Sequence, residues 1–398
     1  MLLRPFKTPE VLWTAAGAVL LCALRLIPLS TASGAVAEGL DVYLFLTGMM
    51  LLSELGKANG VFAWLANVAV KWADRSERRL FFLIYAAGTI VTIFMSNDAT
   101  AVVLTPAVLA AVKRAKAEPL PYLLSCALVA NAASFVLPIS NPANLVVFHS
   151  TMPPLLEWLR MFAAPSIIAI VISYLLLRWI SRKQLMESCN GSSADVHLSR
   201  SGKITLVGIF AVAAILLVVS ALKLDLGLPA CLAAIVVTIV ADIYSRANPI
   251  RLLGEISWGV LPLVASLFVI IEAVKSAGAL DALRDLFERL VQLPHTEAAL
   301  ALGASVAFGT DVCNNLPLGL ITGAALRSMT LQPMLAKIVL IAIDLGPNLS
   351  ITGSLATILW LISIRREGLH VSAWQFLKVG VIVMPVSLLF AILAAVLI

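Results

Sequence analysis

The chain has 398 residues, of which 61% are hydrophobic and only 13% charged, with a formal net charge of +6 and a mean hydropathy of +1.01. A soluble domain carries about 25% charged residues, and no buried core absorbs this much apolar side chain. Composition therefore excludes a soluble globular class and points to an all-α polytopic membrane protein, whose positive charge reflects basic cytoplasmic loops rather than nucleic-acid binding.

In chain order, residues 1–36 read as an N-terminal transmembrane helix. The apolar run from Val11 is long enough to span, and no small-residue cleavage site follows it. With about 20 apolar residues needed per crossing, full spans are expected near 11–29, 39–56, 159–180, 204–222, 227–244, 256–274 and 374–397. Two longer stretches, 119–150 and 334–364, carry Pro, Gly and Asn in their middles and read as broken spans. Two others, 80–112 and 298–326, are interrupted by Ser96-Asn97-Asp98 and by Thr310–Asn315.

Basic residues set the orientation. Arg4 and Lys7 precede the first span and 30–38 has no Lys or Arg, so the N-terminus is expected in the cytoplasm. Lys71, Arg75, Arg78 and Arg79 precede the 80–112 stretch, and Lys113, Arg114 and Lys116 follow it. A stretch of 33 residues that starts and ends on one side is too short for two full spans. It is expected to form a re-entrant hairpin with Ser96-Asn97-Asp98 at its tip, buried in protein or lining a water-filled cavity. The whole then reads as nine full spans plus two hairpins.

The two halves match internally. Glu54, Lys57 and Gly60 align with Glu272, Lys275 and Gly278, Asn97-Asp98 with Asn314-Asn315, and SNPANL (140–145) with LGPNLS (345–350). The expected division is a first transport repeat at 37–180, a cytoplasmic linker at 181–203, two connecting helices at 204–250 and an inverted second repeat at 251–398. Inverted repeats with broken helices mark secondary transporters, whose solute sits between the repeats near the bilayer midplane. An enzyme is disfavoured: there is no H-E-x-x-H motif, and His149, His197, His295 and His370 fall at loops or span ends. Five cysteines without C-x-x-C spacing predict neither a disulfide framework nor a zinc site.

SNDATAVVLTP (96–106), NNLP (314–317) and DLGPNLSITGSLATILW (344–360) together resemble the ArsB arsenite efflux permeases of the ion-transporter superfamily, from about residue 40 to the C-terminus. One departure is the absence, in the N-terminal half, of a helix usual before the first repeat. The resemblance implies a secondary transporter that exports arsenite and antimonite by proton antiport across a bacterial or archaeal inner membrane. It implies no cofactor, and it allows a cytoplasmic ArsA-type ATPase as partner, since the chain has no GxxxxGK[ST] motif of its own. LPISNPANL (137–145) also resembles motifs of relatives that carry organic anions, so a dicarboxylate-like anion carrier or a sodium/proton antiporter remains the alternative.

Arsenite and antimonite in neutral water are mostly uncharged trihydroxides, each hydroxyl both donor and acceptor. Carboxamides and hydroxyls offer both partners without charge, so Ser96, Asn97, Ser140, Asn141, Asn144, Asn314, Asn315, Asn348 and Thr352 are the candidate solute ligands. The competing role for any one of them is to cap a half-helix. Asp98, Asp311 and Asp344 are the candidate proton couplers, because a carboxylate in a medium of low dielectric favours its neutral form. Their competing role is a fixed ion pair, with Lys57 or Lys275 as partner. Cys313, beside Asn314, is a candidate thiolate for arsenic, but one thiol makes no multidentate site.

Overall fold

The computed structural model describes residues 10–148, 151–186, 197–245, 249–328 and 333–397. Arg4, Lys7, Cys189 and His149 therefore lie outside the described residues. The described chain is helical throughout. It runs α1 (Glu10–Ala23), α2 (Leu29–Glu38), α3 (Leu40–Ala58), α4 (Val61–Trp72), α5 (Glu77–Phe94), a π-helical turn (Ala99–Leu104), α6 (Thr105–Arg114), α7 (Pro119–Ala132), α8 (Pro142–Phe148) and α9 (Leu155–Ile180). It continues as α10 (Arg200–Ala221), α11 (Gly227–Ser245), α12 (Pro249–Glu255), α13 (Val260–Ser276), α14 (Ala279–Val291) and α15 (His295–Cys313). It ends with α16 (Asn315–Ser328), α17 (Pro333–Leu345), α18 (Leu355–Arg366) and α19 (Ala373–Leu397).

The order from α3 to α9 recurs from α13 to α19, including a short break before α8 and before α18. Local chemistry explains the boundaries. Gly60 and Gly278 both precede a helix with positive φ, 74° and 80°, a conformation that glycine adopts without steric cost. Ser76, Ser199 and Ser354 accept from the backbone N–H three residues on and start α5, α10 and α18. One expectation is corrected: the span near 11–29 is not a single helix. It stops at Ala23, turns through Arg25 at φ 57°, and restarts after Pro28, which cannot donate to a continuing helix. The expected boundary after residue 36 falls inside α2.

Among the described residues, α9, α10, α11 and α19 are long and apolar enough to cross a membrane alone. Taken together, α2 and α3, bent by 46°, make a fifth such span. Exposed Val, Leu, Ile, Phe and Trp side chains line the outward faces of these helices, as in Val207, Val218, Val236, Ile243 and Val381, which suits a lipid surround. The protein is a multi-pass membrane protein.

Each half begins with helices that lie against the other half. α1 and α2 pack on α13, whereas α11 and α12 pack on α3. α9 runs along α19, with the Ser173 and Ser387 hydroxyls 3.0 Å apart. The chain reverses at Ser96–Asp98, so that the Thr100 hydroxyl comes within 2.8 Å of that of Thr92 and donates to the Gly88 carbonyl at 3.3 Å. Tyr122 donates to the Glu77 carbonyl and Gln184 to the Glu118 carboxylate. These contacts gather the start of α5, the end of α6 and the end of α9 at one end of the molecule.

Helix approach is closest where glycine removes the side chain. A Cβ on Gly48 of α3 would lie 2.7 Å from the Ala230 carbonyl carbon and oxygen of α11, a backbone contact that cannot yield. At Gly34 of α2 a Cβ meets nothing within 4 Å. Gly48→Ala is expected to destabilise the purified protein by about 1–3 kcal/mol through overpacking, with Gly34→Ala neutral or slightly stabilising. Thermal unfolding followed by size-exclusion fluorescence distinguishes the two; equal behaviour would contradict the α3–α11 contact.

Candidate functional site

The helix breaks lie in the interior, where freed backbone groups must find partners inside the protein. At the first break, between α7 and α8, the Asn144 amide donates to the carbonyls of Ser134, Leu137 and Pro138 at 2.9, 3.2 and 3.3 Å. The Trp158 indole donates to the Phe135 carbonyl at 3.2 Å, and the Ser140 hydroxyl donates to the Ile93 carbonyl at 3.0 Å. Ser140 thereby ties the break to the end of α5.

The second break, between α17 and α18, is held from two directions. Asn348, fully buried, donates to the Leu128 carbonyl at 3.1 Å and accepts from Asn131 at 3.0 Å. On the other flank, Ser350 donates to the Asp311 carboxylate at 2.6 Å and Thr352 to the Asp311 carbonyl at 3.1 Å. The Asn314 amide donates to the Thr352 carbonyl at 3.2 Å, and the Asn315 N–H to the Gly353 carbonyl at 2.8 Å. Asn314 itself joins α15 to α16 at φ 72° and ψ 151°, a region that residues other than glycine rarely occupy. Such strain persists only where surroundings over-determine it and clusters at functional sites.

The candidate residues thus fall into three linked groups rather than one pocket. Around the first turn, Ser96 caps the Ala99 N–H at 3.2 Å and Asn97 accepts from the Asp98 N–H at 2.9 Å. Half-buried Asp98 lines a small cleft with Ser53, Glu54, Ser96, Pro142 and Ser257. In the centre, Asn141 donates to one oxygen of the fully buried Asp344 at 2.8 Å, joining the first break to α17. The other Asp344 oxygen has no hydrogen-bond partner among the described residues. The third group is Asp311, Asn314, Asn315 and Thr352. Asp311 and Asp344 lie near the ends of α15 and α17, just ahead of the turn and the break.

The competing role of the aspartates, a fixed ion pair with Lys57 or Lys275 among the possible partners, is not what the structure forms. Lys57 pairs with Glu54 at 2.8 Å and Lys275 with Glu272 at 2.7 Å, each one helical turn away on its own helix. Among the described residues none of Asp98, Asp311 and Asp344 pairs with a basic side chain. Cys313 is exposed, and all four described cysteines are free.

Sequence reasoning missed Asn131, Ser350 and Ser354. Ser350 and Ser354 lie inside the segment singled out for its break, but nothing in their spacing distinguishes a ligand from a cap. Asn131 did leave a signal: it is a carboxamide in an otherwise apolar run, 217 residues from Asn348, the same separation as between Asn97 and Asn314.

Comparison with known proteins gives a consistent family. The chain is 26% identical over 367 residues to the arsenical pump membrane protein of Escherichia coli, covering 87% of this chain and 83% of that protein. It has the same identity and coverage with the arsenical pump membrane protein of Yersinia enterocolitica. Among solved structures, the Alcanivorax borkumensis YdaH transporter superposes with a TM-score of 0.61 over 97% of both chains, at 13% identity, which establishes a common fold. The sequence profile of the citrate transporter family, CitMHS, matches residues 6–346. With that match across most of its length, an all-helical transporter fold and arsenical pump proteins among its relatives, this chain belongs to the CitMHS citrate transporter family.

Proposed function

We propose that this transporter exports trivalent arsenic and antimony as neutral trihydroxides, in exchange for protons, across a bacterial or archaeal inner membrane. One observation carries the reading. The two turns and the two breaks present carboxamides, hydroxyls and Asp98, with Asp311 and Asp344 just ahead of the second turn and the second break, and no Lys, Arg or His occurs in 95–98, 133–141, 313–315 or 346–354. A cationic partner would favour a citrate or dicarboxylate anion at this site, whereas a neutral polyol-like solute is matched by groups that both donate and accept. The names of the arsenical pump relatives support the same choice.

In this reading the 37–180 and 251–398 segments are inverted transport repeats joined by the 181–203 linker and the 204–250 helices. Their turns at Ser96–Asp98 and Asn314 are tips of re-entrant hairpins, and the count of full spans is nine. The N-terminus lies in the cytoplasm. Solute contacts come from Ser96, Asn97, Asn141, Asn144, Asn314, Asn315, Asn348 and Thr352, directly or by shaping the breaks. Asp98, Asp344 and Asp311 take and release the proton. Export of a neutral solute gains nothing from the membrane potential unless another charge moves, and one entering proton contributes about 2.3 kcal/mol per 100 mV. An ArsA-type ATPase would act as an added, separate energy source. Uptake of arsenite into inside-out vesicles, with and without an imposed pH gradient, tests the whole; absence of gradient-driven uptake would refute it.

Asp98→Asn keeps the size of the side chain and removes its proton. The variant is expected to exchange arsenite passively while losing at least about tenfold of gradient-driven uptake, the scale on which a coupling group acts. Retained accumulation in Asp98→Asn, Asp344→Asn and the double variant would remove these two residues from the coupling role.

Topology is tested by labelling in a background without Cys313. Arg75→Cys and Lys116→Cys, both exposed, are expected to react with a membrane-impermeant maleimide from the cytoplasmic face, and the exposed Ala37→Cys from the opposite face. Reaction of the first two from opposite faces would contradict the hairpin.

Cys313→Ser is expected to leave arsenite uptake within about twofold of the parent, since hydroxyls and amides rather than thiolates hold the solute. A null phenotype with normal insertion would mean that sulfur ligation is required.

A further inference from the structure

Asn131 belongs to the first half of the chain, yet its side chain is committed to the second. It is fully buried in α7. Its amide donates to the Asn348 Oδ1 at 3.0 Å, and its Oδ1 accepts from the Ser354 hydroxyl at 3.4 Å. Asn348 closes the 3-10 turn that follows α17, and Ser354 caps the start of α18. One carboxamide therefore bridges both ends of the unwound stretch 349–353. Asn348 returns the contact by donating to the Leu128 carbonyl of α7 at 3.1 Å. Within the bridged stretch lie Ser350, Thr352 and Gly353, the groups that hold Asp311, Asn314 and Asn315.

We propose that Asn131 is a positioning residue: it clamps the unwound stretch 349–353 from the opposite half, and so presents Ser350 and Thr352, with Asp311 and Asn314, in one arrangement to the solute. This rests on the transport reading above. The chemistry is that of preorganisation. A stretch without helical hydrogen bonds loses conformational entropy each time it is ordered around a ligand, and a clamp that orders it beforehand lowers that cost. Asn348 is then a member of the clamp, with both ends of its amide engaged by the protein, and the solute meets the groups beyond it.

The test combines transport with hydrogen exchange on the full-length protein in lipid nanodiscs or vesicles. Asn131→Ala is expected to raise the KM for arsenite about 5- to 10-fold, the scale of one lost hydrogen bond, with kcat within about twofold. Amide exchange is expected to quicken in 346–356 and to stay unchanged in α9 and α19. Asn348→Ala should act alike, and the double variant should fall short of the sum of the single ones, because both lose the shared Asn131–Asn348 contact. Ser173→Ala, at the separate α9–α19 contact, should alter neither readout. Asn131→Leu keeps the branching and heavy-atom count of the side chain without its hydrogen bonds and carries the same expectation if the alanine variant does not fold. An unchanged KM with unchanged exchange, an increase spread through α9 and α19, or additive effects in the double variant would overturn the proposal. If the parent protein moves no arsenite, the transport reading fails by itself. The exchange arm still decides the clamp: quickening confined to 346–356 upholds it, and no quickening there overturns it.

Discussion

Backbone that leaves the helix inside a hydrocarbon slab has no water to bond, so every freed N–H and carbonyl must find a partner in the protein. The interior of this transporter is organised by that requirement. The break after α7 is served by Asn144, Ser140 and Trp158, and the break after α17 by Asn314, which donates to the Thr352 carbonyl, and by Thr357, whose hydroxyl donates to the Ile351 carbonyl. The same requirement sorts the polar side chains. Asn144 has its amide inside a cage of three carbonyls, and Ser96 caps the π-helical turn, so these two shape the site more than they face into it. Asp98 lines a cleft, and Asp311 is held by Ser350 and Thr352 beside the second break.

Charge follows a second rule. An ionised group is costly in a low-dielectric interior unless paired. The basic side chains near the candidate site already have partners on their own helices, as in Glu54–Lys57 and Glu272–Lys275. Two of the three aspartates instead rely on neutral donors: Asn141 for Asp344 and Ser350 for Asp311. A neutral donor permits either protonation state, whereas a permanent cation would fix the charged one. Electroneutral surroundings, a carboxylate free to titrate and a neutral solute are mutually consistent requirements.

The packing between halves makes the two sites interdependent. Helices of each half begin against the other, and α19 comes so close to the second break that a Cβ on Gly380 would collide with the carbonyls of Asn348 and Leu349. Asn141–Asp344 and Asn131–Asn348 join the two breaks directly. A displacement at one break is therefore felt at the other, because close-packed interiors transmit strain rather than absorb it.

Much of this was legible in the sequence. Apolar composition determined the membrane class. Ser-Asn-Asp and Asn-Asn interruptions in apolar runs marked the turns, and Pro with Asn marked the breaks, since these are the residues that helices in hydrocarbon tolerate least without compensation. The motif resemblance identified the family without any coordinates. What the sequence did not carry was partnership. Whether Asn348 would face a solute or Asn131, and whether Asn141 would face a solute or Asp344, depend on contacts between segments some two hundred residues apart. A carboxamide reads the same in either role; only the tertiary structure decides which partner it meets, because hydrogen bonds are set by ångström-scale position and sequence spacing fixes position only within a single helix.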